Sequence, residues 1–133
     1  MNIQSKIKGA LYGFAIGDAM GATTEFMSED SIKSSYGKVK DIIGGGWLRL
    51  KAGEVTDDTQ MMLCVSEAIE YGFGPIRNWS YHEHASREAA MLDRCCKNFA
   101  DWYRSSPKDI GNCCSRVIAS CLNKKSYHDW IKA

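Results

Sequence analysis

Hydrophobic positions in the first part of the chain recur with a helical period. Over residues 3–22, Ile7, Leu11 and Phe14 are separated by steps of four and three. This spacing is typical of one face of an amphipathic helix. Asp18 is the next position on the same stripe. A carboxylate there needs a cation, a metal or several donors to offset its desolvation, so Asp18 is either a buried structural acceptor or part of a site.

Helical patterns account for most of the remaining chain. Helices are predicted over residues 59–71, 80–103 and 112–122, with shorter helical pieces over 31–36 and 126–133. Ser80 and Glu83 have the spacing of a capping box, and Asn112 is expected to be the N-cap of the following helix. The positions expected to face inward include Met62, Val65, Ile69, Leu92, Phe99, Val117, Ile118, Cys121 and Leu122.

No stretch of the chain has the alternation of a strand, and residues 23–58 form a long loop between the first two main helices. The fold class predicted from these patterns is all-α, a compact helical domain. With 133 residues and 44% hydrophobic positions, the chain is long and apolar enough for one globular domain, which we assign to residues 1–133.

The charge balance restricts the partners. Seventeen Lys and Arg against sixteen Asp and Glu leave a net charge of +1, so no overall field attracts nucleic acid or an anionic membrane, and we expect neither as a partner. The N-terminus lacks the basic start and apolar core of a secretory leader. These features predict a soluble, cytoplasmic protein.

Six cysteines raise the question of disulfides or metal. Cys95 and Cys96 are adjacent, as are Cys113 and Cys114, and all four lie within helical patterns. Reduced thiols in the core are favoured over a disulfide framework in this context. Neither pair has the C-x-x-C spacing of a zinc site, so no zinc site is predicted.

Glycines also recur along the first helix. Gly9, Gly13, Gly17 and Gly21 stand four residues apart, although each costs roughly 1 kcal/mol relative to alanine inside a helix. Such a row lets another backbone approach closely, and tight helix packing is the favoured explanation.

A hydroxyl and two carboxylates stand together at the start of the second main helix, as Thr56, Asp57 and Asp58. Acidic residues at a helix start cap free N–H groups and favour the positive end of the helix dipole. The same three side chains are hard oxygen ligands pointing several ways from one turn, which suits Mg²⁺ or Ca²⁺. Capping is the favoured alternative on composition alone. Two further acids, Glu25 and Asp109, are more typical of exposed turns than of a catalytic site when each is taken alone.

Three sequence segments, taken together in this order, shift the preference from capping and exposed turns toward a functional site. They are GALYGFAIGDAMGATTEF at residues 9–26, GEVTDDTQM at 53–61 and WYRSSPKDIGN at 102–112. This arrangement resembles the N-terminal half of the ADP-ribosylglycohydrolase family, which includes the enzyme that removes ADP-ribose from dinitrogenase reductase. The resemblance covers most of the chain.

The resemblance implies an all-α fold and hydrolysis of the bond between ADP-ribose and a protein side chain, assisted by a pair of Mg²⁺ or Mn²⁺ ions. By match to the family, Thr56, Asp57 and Asp58 are the metal ligands. Glu25 matches the acid close to the substrate ribose, and Asp109 matches the carboxylate proposed to act in catalysis. Asp18 is then a support that fixes the first helix against the site.

One departure from the family bears on activity. Its members are longer, and their C-terminal half carries a second acidic motif, G-D-x-D-T, which completes the metal pair and has no counterpart in this sequence. We therefore expect either a hydrolase part that is inactive or weakly active alone, or a module that binds ADP-ribose or a protein partner without turnover. Two chains could also complete one another, and a homodimer is predicted because half of a helical domain exposes apolar faces.

Overall fold

The computed structural model describes residues 2–74 and 80–132. Six α-helices lie within these ranges: α1 Ile3–Gly21, α2 Glu29–Tyr36, α3 Asp57–Phe73, α4 Tyr81–Arg104, α5 Asn112–Cys121 and α6 Tyr127–Trp130. The described residues contain no strand, and an isolated bridge joins Gly45 to Leu50. The predicted all-α class is confirmed. None of the described helices is both long and apolar enough to cross a membrane.

The contacts divide the chain into two compact units, Met1–Thr59 and Gln60–Ala133. The first unit contains α1, α2, the loop that follows α2 and the first residues of α3. The second contains the rest of α3 together with α4, α5 and α6.

Local capping explains where several helices begin. The Asn2 side chain accepts a hydrogen bond from the Ser5 N–H at 2.8 Å, which caps α1. The predicted capping box of α4 is confirmed, with Ser80 and Glu83 bonded reciprocally. The predicted N-cap at Asn112 is wrong. Gly111 occupies the cap position without a side-chain bond, and Asn112 is already the first helical residue of α5.

The first unit is organised around the end of α1. Ala19, Ala22 and Leu50 are buried there, and the buried Thr23 hydroxyl donates to the carbonyl of Gly44 at 2.9 Å. The loop carrying Gly44 is thereby held against the C-terminal end of α1.

The second unit is organised around α4, which packs against both α5 and α6. It is also tied to α3, because the Asn98 amide donates to the Cys64 carbonyl at 2.9 Å and the Arg87 guanidinium donates to the Gly72 carbonyl at 3.1 Å. Among the described residues of this unit, the buried apolar side chains are Ala68, Ala100, Ile118 and Cys121.

Several apolar positions expected to face inward are exposed instead. Exposed fractions are 39% for Val65, 48% for Ile69 and 52% for Val117. The apolar stripe of α1 is also exposed, at Ile7, Leu11 and Phe14. The helical period is correct at each of these positions, but more than a third of each of these residues is left exposed. The prediction of homodimerisation, which these faces motivate, stays a prediction.

The glycine row of α1 departs from its expected role. Apart from the nearby backbone of α1 itself, a Cβ added at Gly9, Gly13, Gly17 or Gly21 would meet no atom of the described chain within 4 Å. Tight helix packing therefore does not explain the row in this structure, and its C-terminal members border the cavity described below.

All six cysteines are free, and the predicted core location does not hold for all of them. Cys121 is buried, Cys113 is exposed and the other four are partly buried. Burial is the largest of the causes that raise the pKa of the Cys96 thiol to about 11, so this side chain stays protonated at neutral pH.

Candidate functional site

The first unit contains a cavity of about 550 Å³. Its walls are the C-terminal half of α1, the turn after α1 and the start of α3. The lining residues are Gly13, Phe14, Gly17, Asp18, Gly21, Ala22, Thr24, Glu25, Thr56 and Asp58. Every charged residue in this lining is an acid. Glycines on α1 leave the space open, because no side chain projects from these positions into it.

Asp18 connects α1 to the start of α3. One of its carboxylate oxygens, Oδ1, accepts from the Thr56 hydroxyl at 2.6 Å. The other, Oδ2, accepts from the N–H of Thr56 at 2.9 Å, from the N–H of Thr59 at 3.3 Å and from the Thr59 hydroxyl at 2.5 Å. A single carboxylate thus caps the N-terminal end of α3 and takes up both threonine hydroxyls, which lie on buried side chains.

These hydrogen bonds decide the ionisation of Asp18. Burial acts to raise the pKa of its carboxyl, but the bonds from Thr56 and Thr59 outweigh it, and the pKa lies below its ordinary value. The structure shows Asp18 as an acceptor that is partly buried, and it also places Asp18 in the lining of the cavity, so the two alternatives left by the sequence do not exclude one another. The signal in the sequence was the position of the Asp18 carboxylate on an otherwise apolar stripe of α1.

The Thr56–Asp58 triplet is divided by the structure. Thr56 and Asp58 line the cavity, whereas Asp57 is partly buried and lies outside the lining. The Thr56 hydroxyl donates its hydrogen bond to Asp18, so the lone pairs of its oxygen remain able to coordinate a cation. Asp57 and Asp58 both lie in the first turn of α3, where the positive end of the helix dipole stabilises their negative charges.

Negative charge accumulates around Asp58. Partial desolvation is the largest cause that raises the pKa of its carboxyl. The neighbouring carboxylates of Asp57, Asp18 and Glu25 raise it further. A bound cation would relieve this repulsion, because it would favour the ionised form of each acid.

The donor chemistry fits a hard divalent cation, but the protein supplies few ligands. Across residues 2–74 and 80–132, no three side chains of His, Cys, Asp or Glu converge closely enough to enclose a metal ion. Water would have to complete the coordination of Mg²⁺, which retains several waters in many protein sites. The assignment of Thr56, Asp57 and Asp58 as metal ligands stays a prediction.

Glu25 lies on the wall of the cavity, in the turn after α1. Its Oε2 atom accepts a hydrogen bond from the indole N–H of Trp47 at 2.8 Å. Trp47 could not be identified from the sequence, because a contact between residues 22 positions apart leaves no periodic signal. The other predicted catalytic acid, Asp109, belongs to the second unit, between α4 and α5.

The glycine run after α2 holds its own loop together. Gly44 and Gly46 have φ values of +68° and +67°, a region that favours glycine. The N–H of Gly45 donates to the Leu50 carbonyl at 2.7 Å, and the Leu50 N–H returns the bond at 2.9 Å. These contacts make the run a structural turn beside α1.

The sequence matches the ADP-ribosylglycohydrolase family model over residues 1–132. It is 38% identical over 123 residues to an ADP-ribosyl-[dinitrogen reductase] glycohydrolase of Rhodospirillum rubrum, covering 92% of this chain and 37% of that protein. It is 52% identical over 123 residues to ADP-ribosylarginine hydrolase Tri1 of Pseudomonas putida, covering 90% and 29%. A Tri1 protein of Serratia proteamaculans is 52% identical over 63 residues, covering 47% and 16%.

This chain therefore spans about a third of the first of these relatives and less of the others. The match nevertheless includes nearly every residue of the chain, with the cavity-lining segments of α1 and α3 inside it. The chain belongs to the ADP-ribosylglycohydrolase family.

Proposed function

We propose that the chain acts in the hydrolysis of bonds between ADP-ribose and protein side chains, with the cavity of the first unit as the site of the ribose. The observation that carries the proposal is the convergence of Glu25, Thr56 and Asp58 on that one cavity. Cleavage at the anomeric carbon develops oxocarbenium character, which a nearby carboxylate stabilises or answers by activating a water molecule. Glu25, held by the Trp47 indole, is a positioned carboxylate of this kind.

We propose Mg²⁺, or Mn²⁺ in its place, as the cofactor, with Thr56, Asp57 and Asp58 as its ligands. The donor set and the negative charge around Asp58 support this assignment. When bound, such an ion orients ribose hydroxyls and lowers the pKa of a bound water. Asp18 stays in a supporting role, because its two oxygens already accept four hydrogen bonds from Thr56 and Thr59. Asp109 is proposed as a second catalytic carboxylate.

We infer that the modified side chain is arginine. Two of the relatives are described as ADP-ribosylarginine hydrolases, and both are 52% identical to this chain over the matched residues. The acidic cavity supports a cationic acceptor, because carboxylates attract the guanidinium and accept bidentate hydrogen bonds from it.

The small number of converging metal ligands favours a second candidate function. Because no three His, Cys, Asp or Glu side chains of the described residues enclose a metal ion, a binding module that holds ADP-ribosyl groups without turnover is the alternative. The two functions differ in one measurable property, the release of free ADP-ribose.

The test is incubation of the purified chain with a peptide ADP-ribosylated on arginine, in the presence of Mg²⁺. We expect free ADP-ribose to accumulate, and the rate to fall at least tenfold in the Glu25→Gln variant, because the neutral amide cannot stabilise the developing positive charge. Calorimetric binding of ADP-ribose without release would identify the binding module instead. If ADP-ribose is neither released nor bound, both functions are contradicted.

Addition of Mg²⁺ is expected to stabilise the folded chain. For a dissociation constant of about 1 mM, 10 mM Mg²⁺ would add about 1.4 kcal/mol, which corresponds to a Tm increase of about 5 °C at this size. Asp57→Asn and Asp58→Asn should each reduce the increase by at least half, because each removes a charged ligand. Differential scanning calorimetry with and without Mg²⁺ measures the change.

Asp41→Asn is the matched control for these two variants, because Asp41 is an exposed acid of the same unit that lies outside the cavity lining. It should keep the full Mg²⁺ response. An equal response in all four proteins would contradict the metal assignment.

A further inference from the structure

Two aromatic rings stand exposed beside the cavity. Phe26 is 83% exposed and Trp47 is 51% exposed, and their ring centroids are 5.5 Å apart with an interplanar angle of 57°. Aromatic side chains are costly to leave in water, and a pair of them at the edge of a cavity is typical of a binding surface. The two rings border Glu25, which is adjacent to Phe26 in sequence and bonded to Trp47.

The local backbone holds both rings in place. Phe26 has φ of +60°, which a bulky residue rarely adopts, and the following Met27 N–H donates to the Thr24 carbonyl at 3.0 Å. Trp47 follows Gly46, which lies so close to Ala22 that an added Cβ would stand 2.2 Å from the Ala22 carbonyl oxygen. The rings are thus presented from a turn and a loop that are both fixed to the end of α1.

The chemistry of this surface selects a flat cation. A guanidinium stacks on aromatic faces and forms bidentate bonds to a carboxylate, whereas an ammonium offers no plane for stacking. Here two rings and the Glu25 carboxylate lie together, and every charged group in the adjoining cavity wall is negative.

We propose that Phe26, Trp47 and Glu25 form the subsite for the guanidinium of the acceptor arginine. This rests on the proposed function for its place in the reaction, but the recognition itself depends only on a guanidinium. The subsite places the arginine side of the scissile bond at the outer edge of the cavity. Glu25 then serves both sides of that bond, whereas Thr56 and Asp58 serve the ribose side alone. Trp47 also acts as a positioning residue, because its N–H holds one oxygen of Glu25.

Agmatine, which carries a guanidinium and no ADP-ribose, is the probe that separates this proposal from the function. The ¹⁵N–¹H resonance of the Trp47 indole is assigned by its loss in Trp47→Phe and followed during titration. We expect a saturable shift in the wild-type chain, with affinity at least about fivefold lower in Phe26→Leu and in Glu25→Gln. Butylamine should bind more weakly than agmatine. Tyr12→Leu, which removes an exposed ring outside the cavity lining, should leave agmatine binding unchanged.

Three results would overturn the subsite: no shift of Trp47 with agmatine, unchanged affinity in Phe26→Leu, or a larger response to adenosine than to agmatine, which would make the pair a platform for the base. Calorimetry with ADP-ribose, run on the same samples, tests the proposed function separately. A chain that binds ADP-ribose but not agmatine retains the function and loses the subsite. A chain that binds agmatine but not ADP-ribose retains the subsite and loses the function.

Discussion

Replacement of Gly46 by alanine is expected to lower the free energy of unfolding by about 4 kcal/mol. A Cβ at this position would lie 2.2 Å from the carbonyl oxygen of Ala22 and 3.3 Å from the Cα of Thr23. Both are backbone atoms of the segment that ends α1, so the loop must move away to relieve the clash, at a cost of about 1–3 kcal/mol. The φ of +67° adds about 1–2 kcal/mol for a residue with a side chain. Urea denaturation followed by circular dichroism measures the loss.

Gly45 is the matched control, because it stands next in the chain with a similar φ of +84° and no atom within 4 Å of an added Cβ. Gly45→Ala should cost only the backbone term, about 1–2 kcal/mol. A difference of at least 2 kcal/mol between the two variants would isolate the contact with Ala22. Equal losses would mean that the loop is not seated on α1 as described.

The same loop contact has a functional consequence. Gly46 precedes Trp47, whose indole N–H bonds to Glu25 on the cavity wall. Displacing the loop from Ala22 would therefore also release the carboxylate proposed to act on the ribose. In Gly45→Ala the loop keeps its contact with Ala22, so the position of Glu25 should be retained.

The helices of this fold could be predicted because their information is local. The bounds of α1 agree with the predicted 3–22 to within one residue, and the capping box of α4 was identified from Ser80 and Glu83 alone. Burial could not be predicted in the same way. The apolar period shows that Ile7 and Leu11 share a face, but it does not say whether another helix covers that face, and in this structure both are exposed.

The candidate site likewise has features that could be predicted from the local sequence and features that could not. Asp18 could be identified as a residue needing partners, since a carboxylate interrupts an apolar stripe, but its donors lie 38 and 41 positions away. Only the fold can bring them together. The pairing of Trp47 with Glu25 across 22 positions is of the same kind. Chain-local chemistry therefore indicates which residues carry charge or cap a helix, and the tertiary contacts decide which of them meet.

Replacement of Asp18 by asparagine is the second change with a large expected effect, a loss of about 3 kcal/mol in the free energy of unfolding. Hydrogen bonds to a charged group contribute about 1.5–3 kcal/mol each and are not additive. The amide keeps one acceptor oxygen and turns an NH₂ group toward donors of Thr56 or Thr59, whose side chains are 7% and 4% exposed. At least one buried donor then lacks a partner. Asp41→Asn, an exposed acid of the same unit, should cost under about 0.5 kcal/mol.

The pH dependence distinguishes a charged acceptor from a neutral one. The hydrogen bonds from Thr56 and Thr59 hold the pKa of Asp18 below its ordinary value in the folded chain, in spite of the opposing effect of burial. Such a group stabilises the fold fully above its unfolded pKa of about 3.9, and this contribution is lost as the pH falls through the lower folded pKa. In metal-free buffer, the gap in stability between the wild type and Asp18→Asn should therefore be constant from pH 7 to 5 and narrow below about pH 4. Only the wild type loses the Asp18 charge as the pH falls, because asparagine is neutral at every pH. A difference in stability that stays constant down to pH 2 would therefore contradict the role of the charge.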